Sequence, residues 1–220
     1  MTPFFDTSYI LPQPQLPPFE AGRQDYPSRE LAKGDVLYRA GDPAEAAFYV
    51  EEGLLKQSID LATGKERIVD LAGPGDIIGL TPPLAYYQDG AEALSPRVRV
   101  RALPSAGLNA ELMESVLVAA GLQLARTRDA LEDTELPVPA RLARTLLRLG
   151  QRFGVVVEDE QVRLTLPLTH DNFAAMIGAA RETTTAVLSE MRASGLIQGT
   201  RGRYSFNRNQ LSDFAAEASF

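Results

Sequence analysis

The chain has 220 residues, a formal net charge of -7, 45% apolar residues and no cysteine. Its length suits one large domain or two small ones, and 23% charged residues beside that apolar content describe a globular rather than a disordered chain. Without cysteine there is no disulfide framework, zinc–thiolate site, thiolate nucleophile or cysteine-ligated iron–sulfur cluster, and with His170 as the one histidine there is no multi-histidine metal site.

Residues 1–22 hold five prolines before Glu20 and show no periodicity, which reads as an extended N-terminal arm. They lack the basic start of a signal peptide. No apolar run approaches the roughly 20 residues of a membrane helix, so a cytoplasmic chain with no membrane partner is the expectation.

From residue 23 to about 107 the pattern is one of short strands punctuated by glycine. Turn signals stand at Gly34-Asp35, Gly41-Asp42, Glu52-Gly53, Thr63-Gly64 and Gly75-Asp76, and between them lie VLY, AFYVE, LLKQSID and ERIVDL. Short strands at close spacing suggest a β-sandwich or a jelly-roll-like β-roll. Strict alternation in RVRVRA puts Val98 and Val100 inward and Arg97, Arg99 and Arg101 outward.

The period then changes. Residues 108–136 read as one long helix, in which Met113, Leu117, Ala120, Leu124, Thr127 and Leu131 follow each other at alternating spacings of four and three. That heptad seam is narrow, and the helix is long for an 80-residue β domain to cover. Both features favour a second copy of the chain as the partner, in a parallel homodimer.

Pro137 and Pro139 end the long helix and open another, which runs through ARLARTLLRLGQRF. Here the sequence places a domain boundary, with residues 137–220 beyond it. VVVED and VRLTL follow as two short strands around an acidic turn. The charge is uneven across this boundary. Residues 1–136 carry 12 basic and 21 acidic side chains, while residues 137–220 carry 10 arginines, no lysine and 8 acidic ones. A basic C-terminal part on an acidic chain hints at an anionic partner.

THDNFAAMIGAARETTTAVLSEMRASG, residues 169–195, has the form of two short helices about a tight turn. Thr169 is an N-cap, Phe173, Ala174 and Ile177 make an apolar face, and Gly178 is the turn. The second helix runs from about Arg181 to Ser194 and ends at Gly195. Val187, Leu188 and Met191 would face inward, with Arg181, Thr185, Ser189 and Arg192 on the other side. This is the helix-turn-helix unit, and its second helix opens with Arg181, Glu182 and Thr183, side chains able to bond base edges of double-stranded DNA. LIQGTRGRYSFN adds a hairpin with Arg201 and Arg203 flanking Gly202, a wing suited to the phosphate backbone.

In this order of parts, residues 25–210 resemble the cyclic-AMP receptor protein / fumarate–nitrate regulator superfamily of bacterial transcription factors. The resemblance is carried by YPSRELAKGDVLYRAGDPAEAAFYVEEGLLKQSIDLATGKERIVDLAGPGDIIG and by IGAARETTTAVLSEMRASGLI. It implies an α+β chain: a β-roll effector-type domain, a long dimerisation helix and a C-terminal winged helix-turn-helix. The partners it implies are DNA, a second copy of the chain and RNA polymerase. By the same resemblance Thr169 contacts a phosphate, with His170 beside it on the phosphate side. Arg181 is suited to a guanine and Glu182 to a cytosine. Two departures stand out. Ala186 replaces an arginine and offers at most a methyl contact, and Ala180 replaces a capping serine or threonine.

Members that bind cyclic nucleotides hold the ribose with a Gly-Glu pair and the phosphate with an Arg-Ser pair. Here Leu80 follows Gly79, and no arginine or lysine lies between Gly79 and Arg97. A buried phosphate without a cation is strongly disfavoured. The expectation is therefore no cofactor and no cyclic-nucleotide binding of the usual kind, leaving either effector-independent action or an unrelated ligand. A jelly-roll enzyme of the cupin kind would need histidines that residues 1–169 lack. A β-roll sensor or scaffold without a DNA role would not need residues 169–206.

Overall fold

The computed structural model describes residues 26–80, 85–104, 110–157 and 159–219. The N-terminal arm, the 105–109 link and the start of the long helix at Leu108 lie outside them. The chain divides into two compact units between Arg128 and Asp129.

Among the described residues of the first unit, eight strands form two antiparallel four-stranded sheets. They are β1 (Ser28–Ala32), β2 (Val36–Tyr38), β3 (Ala46–Glu52), β4 (Leu55–Asp60), β5 (Glu66–Ala72), β6 (Ile77–Ile78), β7 (Gly90–Ala93) and β8 (Arg97–Pro104). One sheet has the order β1-β8-β3-β6 and the other β2-β7-β4-β5. The alternation of β8 decides its faces. Val98 and Val100 are fully buried, packing with Phe48, Val50, Leu55 and Ala93 between the sheets. The arginines point outward and meet acidic neighbours: Arg97 meets Glu30, while Arg99 and Arg101 share Glu51. All three are thus engaged on the outer face.

Helix α1 (Ala110–Glu132) packs its first turns on the outside of the first sheet. Leu112 and Ala119 are buried with Ile77 and Leu103, and Tyr49 and Val116 flank them. Further along, Arg126 reaches Asp70 at 2.9 Å and Asp76 at 3.2 Å. These three side chains are largely buried, with their carboxylates also fixed by the backbone N–H groups of Leu71 and Gly73.

The second unit begins in the last turn of α1. A 3-10 turn (Asp133–Glu135) leads to α2 (Val138–Phe153), in which Pro139 occupies the first turn. The division falls before Pro137, where the sequence placed it, because buried Asp133 is ion-paired to Arg144 and Arg148 of α2. Strands β9 (Val155–Val156), β10 (Gln161–Thr165), β11 (Gln198–Thr200) and β12 (Arg203–Asn207) form one sheet of order β11-β12-β10-β9. Helices α3 (His170–Ile177) and α4 (Arg181–Ala193) lie between β10 and β11 in the chain. A last helix, α5 (Arg208–Glu217), packs on α2. No helix of the described residues is long and apolar enough to cross a membrane.

Candidate nucleic-acid interface

Helices α3 and α4 meet through a turn that the sequence dictates locally. Thr169 caps α3: its hydroxyl accepts from the Asn172 N–H, and the Asn172 side chain accepts from the Thr169 N–H, a reciprocal capping box. The Thr169 hydroxyl also donates to Asn172 Oδ1 at 2.9 Å, so its proton is committed within the cap. Gly178 ends α3 in the left-handed region at φ 63°, where a side chain would be strained. Ala180 then begins α4 with no side-chain cap, as its replacement of a hydroxyl residue implies. Thr184 instead bonds back to the Ala180 carbonyl.

The two faces of α4 are sharply divided. Thr184, Val187, Leu188 and Met191 are buried, while Arg181, Glu182, Thr183, Ala186 and Ser189 are exposed and Thr185 and Arg192 half-buried. Arg181, Thr185 and Ser189 follow at spacings of four and share one face. Arg181 Nε lies 3.4 Å from Asp171 on α3, with both side chains more than 60% exposed. An exposed pair of this kind is worth about 0–1 kcal/mol, so a better acceptor displaces it readily. Ser189 donates to the Thr185 carbonyl and accepts from Arg192.

His170, in the first turn of α3, reaches across to α4, its Nδ1 lying 2.9 Å from Thr185 Oγ1. Burial lowers the affinity of His170 for a proton, and the charges of Arg192 and Arg181 lower it further against the opposing pull of Asp171. These influences together favour the uncharged ring.

The wing is a two-residue hairpin. Thr200 pairs with Arg203, and Arg201 and Gly202 turn the chain with φ of 52° and 77°. Both signs fit the type I′ turn that matches strand twist. Glycine is required at 202 for a second reason. A Cβ there would lie 1.9 Å from the Leu166 carbonyl oxygen, against which the turn is docked, and the Leu166 N–H donates to Gly202 O at 2.8 Å. Arg201 and Arg203 are exposed on this anchored tip. Tyr204 of β12 meets Phe173 of α3 edge-on at 5.7 Å, which ties the wing to the helix pair.

The seam positions of α1 are all exposed. Met113, Leu117, Leu124 and Leu131 stand among the exposed large apolar side chains, and Ala120 and Thr127 are exposed beside them.

In the β-roll, the space beside Gly79 is filled. A Cβ on Gly79 would meet the Tyr87 ring at 3.1 Å. Tyr87 stacks on Tyr38 at 4.0 Å, and Tyr38 on Phe48. Asp89, rather than a cation, precedes β7 and accepts from Gln57 Nε2 at 2.8 Å. Burial pushes the Asp89 carboxyl up, opposed by hydrogen bonding from Gln57. The cleft under α1, lined among others by Gln57, Asp76, Leu122 and Arg126, has room for little more than a water molecule. Among the described residues no group of histidine and acidic side chains could hold a metal ion.

Three features here were not read from the sequence: α5, the His170–Thr185 bond and the Arg126–Asp70–Asp76 cluster. Helix α5 carried a local signal, since Asn207 caps it and Leu211, Phe214 and Ala215 lie on one face. The other two join residues far apart in sequence.

Residues 140–214 match the family model of the Crp-like helix-turn-helix domain, and residues 28–115 that of the cyclic nucleotide-binding domain. The CRP-like cAMP-activated global transcriptional regulator of Mycobacterium tuberculosis is 28% identical over 180 residues, covering 77% of this chain and 79% of that protein. The fold is also that of FixK2 from Bradyrhizobium japonicum. That match has a TM-score of 0.75 at 20% identity and covers 87% of this chain and 98% of the other. A transcriptional regulator of the CRP/FNR family from Thermus thermophilus superposes with a TM-score of 0.71 at 26% identity, over 87% of this chain and all of the other.

Proposed function

The chain belongs to the CRP/FNR superfamily of transcriptional regulators, and from that premise we propose that it acts as a homodimer on a two-fold inverted DNA site without needing cyclic AMP. It carries a helix-turn-helix DNA-binding domain and is not an enzyme. One observation carries the DNA reading: α4 buries Val187, Leu188 and Met191 and leaves Arg181, Glu182, Thr183, Ala186 and Ser189 exposed. Arg181 at its N-terminal end is the group suited to a guanine O6 and N7 in the major groove. Arg201 and Arg203, on a tip anchored through Gly202, serve the phosphates. Thr169 and His170 lie at the start of α3. RNA polymerase is the further partner that the family implies.

The exposed α1 seam supports the homodimer. Two such dimer-related α4 helices would read half-sites about 34–36 Å apart. Effector independence is supported by the Tyr38–Tyr87 stack beside Gly79, by Asp89 and by the small size of the cleft beside Arg126. The relative from M. tuberculosis is named for activation by cAMP. For this chain, isothermal titration with cyclic AMP is expected to give no heat of binding at millimolar ligand, and DNA affinity is expected not to respond to the nucleotide. A micromolar dissociation constant would overturn this part.

The test of DNA readout compares Arg181→Ala with Arg203→Ala on matched and mismatched palindromes at several salt concentrations. Loss of Arg181 is expected to cost about 1–3 kcal/mol per half-site and to relax specificity at one base pair. Loss of Arg203 is expected to weaken all sequences alike and to flatten the salt dependence by about one unit per lost phosphate contact. Equal weakening of every sequence by Arg181→Ala would remove α4 as the reading element.

A further inference from the structure

The DNA-facing side of α4 is short of hydrogen-bonding groups in its middle. Ala186 offers a methyl, and the Ser189 proton is spent on the Thr185 carbonyl. Thr185 is the polar side chain left between Arg181 and Ser189 on that face. A threonine inside a helix commonly turns its hydroxyl onto the carbonyl one turn earlier, as Thr184 does with Ala180. Thr185 instead meets His170 Nδ1 of the neighbouring helix at 2.9 Å.

A hydroxyl has one proton and two lone pairs. What His170 takes decides what Thr185 has left. If Nδ1 accepts the hydroxyl proton, Thr185 turns lone pairs outward and suits a base edge with a donor, adenine N6 or cytosine N4. If Nδ1 carries a proton, it donates to Thr185, and the hydroxyl proton is released toward an acceptor, guanine O6 or N7 or thymine O4.

We propose that His170 is a positioning residue which sets the direction of the Thr185 hydroxyl and so determines which base the middle of α4 accepts. The uncharged ring that carries its proton on Nε2 accepts from Thr185 and selects adenine or cytosine. The protonated ring donates to Thr185 and selects guanine or thymine. The charged groups that act on the ring are Arg181 and Arg192 from α4 and Asp171 from its own helix. Burial and the two arginines favour the uncharged ring, whose Nε2–H tautomer gives the adenine or cytosine preference. This inference rests on the reading of α4 as the recognition helix.

The experiment selects bound sequences from random duplexes with the full-length protein at about pH 8 and about pH 5.5, on either side of the ordinary histidine range. The wild type is compared with His170→Asn, His170→Leu, Thr185→Val and Arg181→Ala. At the higher pH the wild type is expected to favour adenine or cytosine about five- to tenfold at one position per half-site, a ratio typical of one good hydrogen bond. At the lower pH that preference shifts toward guanine or thymine. Thr185→Val and His170→Leu lose the preference at that position while keeping the guanine set by Arg181. The retained guanine also reports that the helix pair is folded. His170→Asn places an amide near the Nδ1 position and restores a preference that no longer responds to pH.

A purely structural role for His170 would lower affinity for all sequences alike and leave the base profile unchanged, and that result overturns the inference. So does a wild-type profile that is the same at both pH values, or a pH response that survives in His170→Asn. If Arg181→Ala also leaves the profile unchanged, the reading of α4 itself fails. If Arg181→Ala relaxes its guanine while the His170 variants change nothing, the positioning role alone fails.

Discussion

Leu124→Glu is expected to sediment as a monomer at concentrations where the unaltered chain sediments as a dimer. Leu124 is 72% exposed on α1, with Leu117 and Leu131 equally open one heptad to either side. Across a two-fold parallel seam each leucine would meet its own copy. Burying a leucine is worth about 1.5–3 kcal/mol, and the substitution withdraws that from both copies. It also sets two carboxylates against each other in a dry contact, which adds a further penalty. A loss of about 5 kcal/mol or more weakens association by between three and four powers of ten. On the opposite face of α1, Leu112 and Ala119 stay packed on the β-roll, so the monomer should remain folded. Analytical ultracentrifugation checks this directly. A variant that still dimerises, or an unaltered chain that is monomeric at micromolar concentration, would remove α1 as the dimer seam.

Arg126→Leu is expected to lower the stability of the β-roll unit by about 3–5 kcal/mol, the usual effect of removing one partner from a buried ion pair. Burial works against the charge of Arg126, but the Asp70 and Asp76 carboxylates outweigh it and hold the guanidinium above its ordinary range. Taking the cation away leaves both carboxylates, 9% and 19% exposed, under an apolar side chain. Urea denaturation measures the effect. Adding Asp70→Asn and Asp76→Asn to the variant is expected to restore most of the loss, because the amides cost far less to bury than charges do. If the single variant is as stable as the parent, the cluster does not hold α1 to the β-roll. Arg126 lines the small cleft between α1 and strands β5 and β6.

What could be read along the chain was whatever rests on local periodicity. The alternation of RVRVRA determined which side chains of β8 enter the core, since successive residues of a strand face opposite ways. The threes and fours from Met113 to Leu131 marked a helix with an apolar stripe, which the structure exposes, while a second apolar face with Leu112 and Ala119 packs on the β-roll. Thr169, Gly178 and Gly195 marked the ends of α3 and α4, because caps and left-handed turns act through neighbouring backbone groups. The departure at Ala180 likewise corresponds to an uncapped α4.

Tertiary structure decided which side chains meet across long stretches of chain. Asp133 and α2 show this for the unit boundary. Pro137 and Pro139 mark where a helix must restart, but the ion pairs from Asp133 to Arg144 and Arg148 draw the end of α1 into the second unit. Arg126 and its two aspartates are some fifty residues apart, and no periodic pattern couples positions at that distance. His170 could be read as a residue beside the phosphates, yet its partner, Thr185, lies on the next helix. Residue types and spacing along one element determined the elements, their faces and the candidate DNA-reading side chains. Ion pairs and hydrogen bonds between elements depend on how separate faces dock, and docking is a property of the packed chain as a whole.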